Sequence, residues 1–131
     1  MKQLRYAAVL VLSAACLLGT NSAFARTSFP TTITYDGSVD LGGGKFIDTG
    51  RVKSTRWFCS FVRTVSLIGH YPDDTKHVLD QDFTSISGAW ATKADRTGVQ
   101  RVTAKASREV FHVHHHRKVC EAASVSVFSA T

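Results

Sequence analysis

From Thr31 onward, apolar and polar residues alternate with a period of two, the period of a half-buried strand. The stretch "TTITYDG" (31–37) puts Ile33 and Tyr35 on one face and ends in an Asp-Gly turn signal. The glycine loop "LGGGKF" (41–46) follows, then "FIDTGRVKST" (46–55), a strand with a bulge expected at Gly50. "RWFCSFVRTVSLIGHY" (56–71) is the most apolar segment after the leader. Trp57, Cys59 and Phe61 share one strand phase, as do Val65 and Leu67, so Trp57, like Trp90, reads as core, with a carbohydrate-binding platform as the alternative. Arg63 falls in that same inward phase, so a bulge or turn is expected at Val62–Arg63, with the guanidinium paired to Asp80 or Asp82 of a neighbouring strand.

"YPDDTK" (71–76) is a turn: proline presets φ and aspartates bond back to the backbone. "HVLDQDF" (77–83) is its return strand, and "SISGAW" (85–90) is a turn that delivers Trp90 to the core. Val102, Ala104 and Ala106 form one face of "VQRVTAKAS" (99–107), and Val125 and Val127 stand in phase in the last strand. No window after the leader carries a helical stripe. The expectation is all-β: one seven-stranded (six to eight) sandwich with Trp57, Arg63, Trp90, Val102, Val125 and Val127 as core or structural positions.

The N-terminus has a different pattern. Lys2 and Arg5 precede 13 apolar-rich residues (6–18), and "AFA" (23–25) offers small residues at −3 and −1. Residues 1–25 therefore read as a cleaved export signal, leaving 26–131 as one domain. The run is short for a membrane span and no second one follows. Lipidation at Cys16 is the competing reading; Ser13 stands where a lipoprotein signal carries Leu. Removing Lys2 and Arg5 leaves 14 basic against 10 acidic residues, so the mature charge is +4 rather than the +6 of the whole chain. That mild excess permits attraction to an anionic envelope polymer, or to another protein, and carries no specific nucleic-acid signal.

Export leaves two cysteines, Cys59 and Cys120, in an oxidising compartment, where one disulfide is the simplest outcome. It would close a loop of about 60 residues and contribute roughly 4 kcal/mol on the chain-entropy model.

The series "ITYDG", "F-x-x-x-G-R-V-x-S" (46–54), Cys59, "R-x-V-x-L" (63–67), "T-S-x-S-G-A-W" (84–90), "V-T-A-K" (102–105) and "C-E-A-A-S-V-S-V" (120–127) resembles small secreted bacterial proteins of the transthyretin-like, carboxypeptidase-regulatory-domain kind. The resemblance runs from about Ile33 to Val127. It implies a Greek-key, prealbumin-like sandwich that binds, supports or decorates, usually without chemistry of its own. Hydroxyisourate hydrolases of that fold end in Tyr-Arg-Gly-Ser, whereas "VFSAT" stands here.

No H-E-x-x-H, G-x-S-x-G or phosphate-loop pattern occurs, so the expectation is a non-enzymatic module with no resident cofactor. A small hydrolase using a histidine base is the weakest reading. Asp73 and Asp74 read as turn residues rather than a Ca²⁺ or acid–base pair. One cluster remains: "HVHHHRK" (112–118). In an extended chain His112, His114 and His116 would share a face, two at i and i+2 could reach one Zn²⁺ or Cu²⁺, and His70 or His77 would have to arrive from another hairpin as a third or fourth ligand. Clustered imidazoles also gain charge in mild acid and then repel one another.

Overall fold

The computed structural model describes residues 27–128. The expected export signal and Cys16 lie outside these residues. Ten strands run in chain order: β1 (Ser28–Phe29), β2 (Thr31–Gly42), β3 (Lys45–Ser54), β4 (Thr64–His70), β5 (Lys76–Phe83), β6 (Ala89–Asp95), β7 (Arg101–Ala106), β8 (Glu109–Val113), β9 (His116–Cys120) and β10 (Ala123–Phe128). A 3-10 turn, Trp57–Cys59, stands between β3 and β4.

The strands make three sheets. One is antiparallel with the order β10-β7-β4-β5, the second is β2-β3-β6, and the third is β1-β9-β8, in which β1 pairs parallel with β9. Alternation explains the first two. β4 buries Val65 and Leu67, β7 buries Val102, Ala104 and Ala106, and the facing sheet answers with Ile33, Val52, Trp90 and Ala94 in one shared core. The fold is therefore all-β and sandwich-like. Val125 and Val127 are only half-buried, because β10 lies at the edge of its sheet and packs against the core from the side.

Gly50 is not a bulge. It pairs in register with Tyr35 and Trp90, and the shift in β2 falls between Tyr35 and Gly37 instead. Glycine is required there because a Cβ would overlap the Thr34 carbonyl oxygen and the Trp90 ring. Two further expectations fail locally. Residues 57–59 coil into a 3-10 turn, so the period-two phase breaks and Trp57 stands 72% exposed instead of in the core. Asp80 and Asp82 do not meet Arg63. Their carboxylates accept the backbone N–H groups of Lys93 and Ala91, both at 2.8 Å, joining β5 to β6 across the gap between the two larger sheets.

Candidate functional site

The 3-10 turn is closed by N–H groups of Cys59 and Ser60 donating to the carbonyls of Arg56 (2.9 Å) and Trp57 (3.0 Å). Val62 then takes a left-handed φ of 53°, which reverses the chain into β4. Buried Thr84 clamps this loop. Its hydroxyl donates to the Ser60 carbonyl (2.6 Å) and accepts the Arg63 N–H (2.8 Å), and its own carbonyl accepts the Val62 N–H (3.2 Å).

The Arg63 side chain is fully buried behind the loop. It donates to the carbonyls of Cys59 (2.7 Å), Glu121 (2.9 Å) and Ser107 and to the Thr31 hydroxyl (3.1 Å), with Glu109 4.0 Å away. Burial pulls its pKa below the usual guanidinium value, and Glu109 acts in the opposite sense. One side chain thus ties together β2, the 3-10 turn, the end of β7, β8 and the segment after β9.

Cys59 and Cys120 are joined in a disulfide, with 5.4 Å between their Cα atoms. Together with Phe29 they form a second small core, against which Phe58 and Phe111 pack. The rings continue outward. Phe58 meets Phe29 (5.6 Å between centroids), Phe111 (6.2 Å) and Trp57 (6.1 Å), and Trp57 also lies 6.5 Å from Phe61. Arg56 and Lys118 both stand over Phe29, at 5.5 and 5.8 Å. An exposed indole therefore tops a cluster of mostly edge-to-face rings flanked by cations, and exposed Val62 and Ile86 lie on the two loops that Thr84 joins.

The β8–β9 hairpin projects from this end, and its residues 112–117 are exposed. Its two-residue turn is His114–His115, with φ of 48° and 63°. The register pairs His112 with Arg117 and Val113 with His116. Directly opposed residues share a face and adjacent ones do not, so His112 and His116 point to opposite faces of the ribbon. The single histidine face expected for an extended segment does not form. His70 and His77 do not approach: β7 starts opposite His70 and runs away from it to Ala106, beyond which β8 begins. Among the described residues, no group of three His, Cys, Asp or Glu side chains is placed to hold a metal ion. Asp73 is a turn residue whose carboxyl is held below the ordinary range, chiefly by the Thr75 hydroxyl (2.6 Å) and then by the Thr75 amide (3.1 Å).

Comparison of the chain with protein families, with curated proteins and with solved structures finds no match. The geometry defines the class: a disulfide-bonded, all-β, sandwich-like domain with an aromatic and basic end. The sequence alone favoured the core for Trp57 over an exposed platform, and the structure places the indole outside. The signal was present in the adjacent pair Trp57-Phe58, since no single strand phase can bury both.

Proposed function

We propose that the chain is an exported, non-enzymatic binding module of the cell envelope or exterior whose aromatic end docks on an acidic polysaccharide. The carrying observation is Trp57, 72% exposed at the top of a ring stack that the disulfide loop holds in place. The indole is not isolated: it lies against Phe58 and Phe61 beside exposed Val62, and a contiguous apolar patch rimmed by charge is the mark of an interaction site. The C–H face of a sugar ring stacks on an indole, and Arg56 and Lys118, which both stand over Phe29, supply positive charge for carboxylate groups along the polymer. The loop is already ordered by Thr84, Arg63 and the disulfide, so binding orders little that is mobile.

In this reading the two larger sheets are the layers of a seven-stranded Greek-key, prealbumin-like sandwich, and β1, β8 and β9 are an addition that builds the docking end. The disulfide is compatible with an oxidising periplasmic or extracellular location, and no helix among the described residues is long and apolar enough to cross a membrane. The hairpin imidazoles serve as hydrogen-bond donors to the polymer rather than as metal ligands, because the turn divides them between faces.

Isothermal titration with oligogalacturonate and with neutral dextran oligosaccharides tests the reading. The acidic oligomer should bind, more weakly as salt rises, and Trp57→Ala should weaken it at least tenfold. Equal binding of dextran, or an unchanged Trp57→Ala variant, contradicts it.

A further inference from the structure

The other end of β4 builds a different kind of site. His70 closes β4, and the register sets it opposite both Lys76 at the start of β5 and Arg101 at the start of β7. With Phe46, Tyr71 and Phe128, these residues line a cleft of about 930 Å³. That volume falls within the range of small-molecule sites, roughly 300–1,000 Å³.

The charges in the cleft do not cancel. Its walls hold three cations, Lys76, Arg96 and Arg101, and one carboxylate, Asp74. Arg96 is already answered by buried Asp48, and it also donates to the Tyr35 hydroxyl (2.8 Å). Among the described lining residues that leaves Lys76 and Arg101 against Asp74, an excess of one positive charge. Arg101 donates to Nδ1 of His70 at 3.1 Å. A guanidinium can only donate, so the His70 ring is neutral with its proton on Nε2, and that N–H is directed to the Thr103 hydroxyl at 2.9 Å. Thr103 in turn shares a hydrogen bond with Ser126 (2.7 Å).

Arg101 is thus oriented by a neutral partner and not neutralised by it. Its Nε is buried and has no hydrogen-bond partner among the described residues. Directly across the β7–β10 ladder stands Phe128, 84% exposed. A guanidinium with no carboxylate partner among the described residues, beside exposed Phe128 and the half-buried rings of Phe46 and Tyr71, suits an anion with an apolar body.

We propose that this cleft binds a small arylalkanoate, with its carboxylate on Arg101 and Lys76 and its ring among Phe46, Tyr71 and Phe128. The site lies at the far end of β4 from the Trp57 loop, a strand length of about 20 Å away. It depends on none of the residues that carry the polysaccharide reading.

Backbone amide shifts of the disulfide-bonded protein should be followed during titration with 3-phenylpropionate, with neutral 3-phenylpropionamide and with inorganic phosphate. The acid should shift amides of residues 70–76 and 98–101 saturably, with the amide and phosphate each at least tenfold weaker. Arg101→Gln and Lys76→Gln should each weaken the acid about fivefold or more. The Lys76 side chain is exposed, so that variant tests the charge even if Arg101→Gln unfolds. Equal binding of the amide, phosphate binding as tight as the acid, no saturable shift, or shifts centred on Trp57 would each overturn the proposal.

Discussion

Removing the Arg63 guanidinium would leave the carbonyls of Cys59, Ser107 and Glu121 without their donor inside a closed loop junction. Arg63→Met, which keeps the apolar stem, is expected to lower stability by roughly 3–5 kcal/mol, read from urea midpoints. A change below about 1 kcal/mol would mean that the loop holds itself together without the arginine. His70 offers a pH test. Burial first, then Arg101, then Lys76 push its pKa below the ordinary 6.5, so the folded state favours the neutral ring. An unfolded histidine protonates near pH 6.5 and the folded one at a lower pH. The stability this preference contributes is whole above pH 6.5 and is lost as the pH falls through 6.5 towards the folded value. Thermal melts between pH 7.5 and 5.5 should therefore show a smaller drop for His70→Gln than for the parent. Parallel profiles would remove the claim that the ring is held neutral.

At the scale of elements, β5 and β6 are neighbouring edges that share no ladder, yet the β6 N–H groups of Ala91 and Lys93 are occupied by Asp82 and Asp80. Inward-turned carboxylates of this kind keep an edge strand from pairing with another chain. The double variant Asp80→Ala/Asp82→Ala should self-associate as concentration rises, measured by sedimentation velocity, while the parent stays at one sedimentation coefficient. The strands with clean alternation were readable from the chain, as β4 and β7 show: their buried residues are those whose phase faces inward. Three features were not readable. β6 was hidden behind its turn, because the inward positions of "ATKAD", Thr92 and Ala94, are polar or small and give a weak apolar alternation. β1 is two residues long and exists only by pairing with β9, 91 residues further on. The histidine cluster looks extended in a one-dimensional pattern, since His-His lacks the Asn-Gly signature of a two-residue hairpin turn.

Across the whole molecule, the disulfide joins the third sheet to the loop that precedes β4, and a sequence separation of 61 lies between its cysteines. Replacing both cysteines with alanine is expected to cost about 4 kcal/mol by chain entropy, read from the urea midpoint. The Trp57 stack should loosen first, because the Cys59–Cys120 pair is most of its buried base. The pairing of the two cysteines was legible as the simplest outcome for the two that follow the expected leader. The aromatic end was not, because it is assembled from residues 29, 56–61, 111 and 118, and no local pattern encodes the approach of those separate segments.

The two tryptophans allow a direct test of that end. Trp57 is 72% exposed and Trp90 only 2%, so acrylamide quenching of the intrinsic fluorescence reports Trp57 almost alone. With oligogalacturonate bound, quenching should fall towards the level of the Trp57→Ala variant, and the protection should weaken as salt is added. Quenching that stays unchanged at saturating oligogalacturonate would contradict the claim that this indole is the docking surface.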